Sequence, residues 1–217
     1  MLDILKKELR LSAPALSLVF PLFGLLFLFP GYPVLCGAFF VTLGIYQSFR
    51  YAREANDIVF SVLLPIPKSS VVKGKYLFVC LMECCGFLLM TAAVVLRMTI
   101  LSDAEIYREN ALMNANLFAL SMALLIYGLF NLVFVGGFFK TSYQLTKPFL
   151  SYIILCFSVI GLSEAAHHVP GLESVNAFGY DHIVLQMFLL AAGFVFYTIM
   201  TLYSCKKACS RFEKTDL

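Results

Sequence analysis

One acid, Glu83, interrupts the apolar run from Tyr76 to Leu96. A carboxyl group placed in lipid costs several kcal/mol unless it is paired, protonated or wetted, so an intramembrane ionisable residue is read first as functional. Asn131 stands about eight residues from the end of the run 117–139, and Glu83 about seven from the start of its own, so antiparallel packing brings both to a depth of roughly 10 Å. Tyr127 is one helical turn from Asn131 on the same face. Glu83, Tyr127 and Asn131 are therefore a candidate polar cluster facing the protein interior or a dimer cavity. The competing reading has Glu83 snorkelling to water as a simple anchor.

Other reactive side chains do not converge. Cys205 and Cys209 have an i, i+4 spacing but no nearby histidine, and the seven cysteines fall in apolar runs or in the basic tail, which points to packing instead of a metal or a disulfide framework. His167 and His168 lie near Glu164, yet adjacent side chains point different ways and a solvated loop is the simpler account. No GxxxxGK(S/T) loop occurs: the Gly74–Lys75 pair is followed by Tyr76 and opens an apolar run. Nothing in this pattern makes an enzyme, and no cofactor or metal is expected on this chain.

The elements that must position these residues are membrane helices. With 217 residues, 61% of them hydrophobic and 13% charged, and a mean hydropathy of +0.88, the chain has too little polar surface to coat a soluble globule. The expected fold is all-α, a polytopic membrane protein in one transmembrane domain. Residues 1–10 form an amphipathic helix at the membrane surface, expected to persist because neither a small-residue cleavage site nor a lipoprotein box follows. Six transmembrane helices are expected over 11–30, 33–48, 76–97, 117–139, 148–163 and 183–205, the fifth short for a full span. Pro14 and Pro21 kink the first.

Orientation follows from the basic residues. Fourteen of the 16 Lys and Arg lie on one side in this threading and only Arg97 and Arg108 on the other. Both termini and residues 50–72 are thereby placed in the cytoplasm. The net charge of +3 reflects this topology, and no nucleic-acid surface is indicated.

The cytoplasmic segment between the second and third spans has its own pattern. Arg50, Arg53, Glu54 and Asp57 recur at three and four residues, which puts them on one exposed helical face. Pro65 and Pro67 end that helix, and Ser69 or Ser70 caps a new one starting at Val71. The order of Glu54, Leu63, Leu64, Pro65, Ile66, Lys68, Val71, Val72, Gly74, Lys75 and Tyr76 resembles the segment after the second helix in membrane-spanning subunits of type 2 ABC transporters. Asn56 and Asp57 stand where that family usually has Gly-Thr, and Pro67 replaces a serine.

The resemblance implies a coupling helix within 50–72 that docks on a separate ATP-binding subunit through Arg50, Arg53, Glu54, Asp57, Leu63, Leu64, Pro65 and Lys68. It implies ATP and Mg on that partner, a second copy or related permease subunit, and a bacterial plasma membrane. The expected function is the permease half of an exporter for an amphipathic or hydrophobic substrate. A non-transporting immunity, sensor or scaffold protein and an ion-coupled carrier using Glu83 are the alternatives; the first would need no lever between spans two and three, and the second predicts more intramembrane charge and an internal repeat.

Overall fold

The apolar run that opens the chain carries two prolines, and they divide it. The computed structural model describes residues 2–12, 14–57, 60–61, 66–141 and 144–214. Helix α1, Leu2–Lys7, continues into a π-helical turn, Glu8–Ser12. Pro14, with extended backbone, precedes α2, Ala15–Val19. Pro21 then sits in the first turn of a 3-10 helix, Phe20–Leu28. A 3-10 helix has three residues per turn, so its buried face repeats every third residue. Pro21, Gly24 and Phe27 are that face. The same winding rises about 2 Å per residue, so α2 and its extension together reach about 25 Å.

Among the described residues, four helices are long and apolar enough to cross a membrane: α4, Lys68–Thr99; α6, Leu117–Lys140; α7, Thr146–Ala166; and α8, Ile183–Glu213. Between the opening segment and α4 lies α3, Cys36–Glu54, whose last turns carry Arg50, Arg53 and Glu54. A short helix, α5, Glu105–Arg108, follows α4. Compared with the spans expected from sequence, α4 starts eight residues early, α7 is long enough to cross, and α8 runs on to Glu213. At 32 and 31 residues, α4 and α8 are about 48 and 46 Å long, well beyond a 30 Å hydrocarbon core. Both overhang at the end rich in Lys and Arg.

Helix α6 is the most deeply buried of the four, and α3, α4, α7 and α8 pack around it. Phe130, Phe134 and Phe138 lie along it, fully buried. Phe49 of α3 meets Phe134 and Phe138 edge-on at 5.3 and 5.0 Å, while Tyr46 stacks on Phe149 of α7 at 3.8 Å. Much of the abundant phenylalanine thus fills the core, although Phe188, Phe194 and Phe196 of α8 face outward. Two close approaches set how tightly the helices meet. A Cβ on Gly24 would come within 2.6 Å of the Gly86 carbonyl of α4, and one on Gly193 of α8 within 2.6 Å of Ser121 Oγ of α6.

The end opposite the basic one is closed by a hydrogen-bonded cap. Arg97, 4% exposed, donates to the Phe27 carbonyl (3.0 Å) and to Asn114 Oδ1 (2.8 Å), with its guanidinium 4.1 Å from the Tyr107 ring centre. Asn116 caps α6 by accepting from Ala119 N, and its amide reaches the carbonyls of Val175 and Ala177. Gln186 accepts from Phe118 N and donates to the carbonyls of Ser174 and Val175. A 3-10 turn, Glu173–Asn176, is the regular element in the connection before α8. Glu164 and His167, expected in a solvated loop, instead close α7 onto this cap, Glu164 accepting from Met113 N at 2.8 Å and His167 Nε2 lying 3.2 Å from the Ala111 carbonyl.

Gly193→Ala should destabilise the protein by about 1–3 kcal/mol, the usual cost of overpacking a tight contact. Thermal unfolding in detergent measures it, and an unchanged transition would show that α6 and α8 yield freely.

Candidate functional site

Helix α3 ends because Asn56 adopts a left-handed conformation, φ 52°, the position just past a helix end that Asn and Gly tolerate best. Asn56 N returns to the Arg53 carbonyl at 3.1 Å and Ala55 N to that of Tyr51 at 2.9 Å. This turn separates four residues that the spacing places on one face. Arg50 and Glu54 remain exposed and pair at 3.0 Å, and Arg53 is exposed beside them. Asp57 starts a new turn and points inward, 8% exposed.

There it joins a buried group of four charges. Lys7 Nζ lies 2.7 Å from Asp57 Oδ1 and 3.1 Å from Glu8 Oε1, and donates to Ser61 Oγ at 2.6 Å. Lys75 Nζ bonds Glu8 Oε2 and lies 3.4 Å from Asp57 Oδ2. Glu8 and Lys75 are 0% and 2% exposed. Two ammonium groups and two carboxylates neutralise one another at a point where α1, the turn after α3 and the root of α4 converge. The amphipathic pattern of residues 1–10 signals a surface helix but gives no hint that Lys7 and Glu8 face inward. The π-helical turn that begins at Glu8 is part of the reason.

Helix α4 begins at Lys68, three residues before Val71, where a Ser69 or Ser70 cap would start it, with Pro67 in the N-cap position. The Pro67 carbonyl accepts from Ser70 N at 2.9 Å. Ser69 and Ser70 therefore lie within the first turn and do not cap it. Lys68 is half-buried. Leu63, Leu64 and Pro65 lie outside the described residues.

Deep in the bundle, Glu83 Oε2 accepts from Asn131 Nδ2 (3.0 Å) and from the Tyr197 hydroxyl (2.8 Å). Asn131 Nδ2 also reaches Thr201 Oγ1 at 3.0 Å. Ser204 Oγ donates to the Asn131 carbonyl at 2.7 Å, and the Tyr76 hydroxyl lies 2.7 Å from Ser204 Oγ. That carbonyl belongs to a π-helical stretch, Phe130–Val135. Such wide turns displace backbone acceptors from the regular ladder, and here a side chain from α8 takes one up. Among the described residues no cation pairs with Glu83, and Glu83 Oε1 and Asn131 Oδ1 are buried without a partner.

The structure thus brings Glu83 and Asn131 together and leaves Tyr127 one step away. Tyr127 is fully buried, with its hydroxyl 3.8 Å from Met90 Sδ. The place beside the carboxylate goes to Tyr197, which sequence reasoning missed along with Thr201 and Ser204. A signal was present: 197, 201 and 204 follow an i, i+4, i+7 spacing, one face of a helix. With Glu83 only 1% exposed, this cluster ties α4, α6 and α8 together and faces protein on every described side.

Cys205 and Cys209 remain reduced neighbours on α8, and no group of metal ligands forms among the described residues. Among known families, the model described as "ABC-2 family transporter protein" aligns with residues 3–208. No curated protein and no solved structure shows significant similarity.

Lys75→Met should cost about 3–5 kcal/mol, because it leaves Glu8 and Asp57 sharing the single Lys7 ammonium, with one buried carboxylate uncompensated. Adding Glu8→Leu should return much of that loss; thermal unfolding of the single and double variants measures the recovery. In the membrane interior, Glu83→Gln keeps an acceptor for Tyr197 and should stay within about 1 kcal/mol of the native protein, whereas Glu83→Leu leaves the hydroxyl stranded and should cost about 1–3 kcal/mol. Equal stability of the Gln and Leu variants would remove the hydrogen bonds from the account.

Proposed function

The chain belongs to the ABC-2 family of transporter proteins, and from that premise we propose that it is the permease subunit of an ATP-driven exporter. A separate ATP-binding chain supplies ATP and Mg, and a second copy or a related subunit completes the pathway. The broken segment Ala15–Leu28 and helix α3 act as the first two of six crossings, with both termini and the basic end on the cytoplasmic side of a bacterial plasma membrane. The Lys and Arg asymmetry supports that orientation. The substrate is amphipathic or hydrophobic.

The observation that carries this reading is the mechanical link at the basic end. Arg50, Arg53 and Glu54 are exposed, while Asp57, three residues on, is bound to Lys75 in the second turn of α4. Docking therefore falls to Arg50, Arg53, Glu54 and Lys68, with Leu63, Leu64 and Pro65 completing the surface. Asp57 works inward. A push on the outer surface reaches α4 through a charged junction instead of a slack loop, and α4 passes it to α6 and α8 through Glu83. Closure of a soluble partner then tilts a connected set of helices. The sealed surroundings of Glu83 favour this over ion-coupled transport, which needs a carboxylate that water can reach.

Reversing both exposed arginines, Arg50→Glu with Arg53→Glu, should lower recovery of the co-expressed ATPase at least about ten-fold in affinity purification, since charge reversal at an interface both removes attraction and adds repulsion. The native unfolding temperature should be retained. Undiminished recovery of the ATPase with the reversed protein would overturn the docking role.

A further inference from the structure

At the basic end, α7 and α8 wall a recess floored by the last turns of α6, with a volume of ≈ 350 Å³. Four cationic side chains from three helices line it: Lys140, Lys147, Lys207 and Arg211. No Asp or Glu is among the lining residues that the structure describes. Lys207 is held in place, its ammonium donating to the Tyr203 hydroxyl at 2.9 Å and lying 5.1 Å from that ring. Thr146, Lys147 and Pro148 form the first turn of α7, a helix of 21 residues, so its positive dipole end adds to the same field. Ser151 contributes a hydroxyl.

About one helical turn from the lining residues Ser151 and Tyr203, Ile154 on α7 and Ile199 on α8 are exposed apolar side chains. A small free anion would use the cations and ignore this flank. A molecule with an anionic phosphate and hydrocarbon chains would use both, the phosphate between the lysines and the chains along the helices. Basic recesses between membrane helices suit anionic headgroups for this reason.

We propose that the recess between α7 and α8 binds one anionic phospholipid, its headgroup phosphate held by Lys140, Lys147, Lys207 and Arg211. The site is separate from the docking surface and does not depend on an ATPase, so it stands or falls apart from the transport reading.

The test uses the full chain in detergent, stripped of lipid and titrated with phosphatidylglycerol, phosphatidylcholine or inorganic phosphate, with bound species counted by native mass spectrometry. Phosphatidylglycerol should saturate one site per chain, and phosphatidylcholine should bind at least about ten-fold more weakly, as the net headgroup charge is lost. Lys147→Gln with Lys207→Gln should weaken phosphatidylglycerol roughly 25-fold, at about five-fold per cation. Lys6→Gln with Lys73→Gln removes equal charge from exposed positions outside the recess and should change binding less than about two-fold. Unchanged retention in the first pair, an equal loss in the second, or displacement of the lipid by equimolar inorganic phosphate would each overturn the proposal.

Discussion

A lysine in the second turn of α4 holds one carboxylate from the amino-terminal helix and faces another from the turn after α3. The Lys75, Glu8, Asp57 and Lys7 group is where the basic end becomes a single piece. Each charge is tolerable only because the others are present, since an ion moved out of water without a partner costs several kcal/mol. Electroneutrality therefore fixes geometry: α1 cannot lift away, and the turn at Asn56 cannot unwind, without exposing or stranding a charge. That coupling makes the exposed residues just before Asn56 a place where an outside force acts on the helix bundle.

The membrane interior obeys a different rule. Lipid is as apolar as leucine, so helices there gain little from burying large hydrophobic side chains and associate through close packing and hydrogen bonds. Helix α8 follows this inverted logic. Its buried stripe is Gln186, Gly193, Thr201, Ser204 and Ala208, while Phe188, Val195, Ile199 and Leu202 look outward. Thr201 and Ser204 of this stripe reach Asn131, and Tyr197 beside it reaches Glu83. At the centre, where α3, α6 and α7 meet, stacked and edge-on aromatic rings fill space instead. One helix is held by polar seams and another by shape.

Much of this was legible in the sequence. Apolar run lengths mark the four long helices, the distribution of Lys and Arg marks one end, and counting residues from helix ends puts Glu83 level with Asn131. What stayed hidden depended on local geometry that periodicity does not encode. A regular helix through residue 57 would carry Asp57 outward with Arg53 and Glu54; one left-handed residue turns it in. The hydroxyls on α8 share a helical face in the sequence, but their partner is not written there until α6 presents Asn131 to them. Arg97 reads as a loop charge in the sequence, yet its partners are a backbone carbonyl 70 residues earlier and Asn114, and no pattern along the chain announces such a pair.

The overwound stretch Phe20–Leu28 is a ruler with coarse divisions. Each residue there advances about 2 Å and turns the chain by 120°, so Pro21, Gly24 and Phe27 stay in line only while the count between them is a multiple of three. Adding or losing one residue would rotate everything beyond it by a third of a turn, swinging Phe27 out of the core and moving its carbonyl away from Arg97. Evolutionary drift in length is thereby closed to this segment except in whole turns.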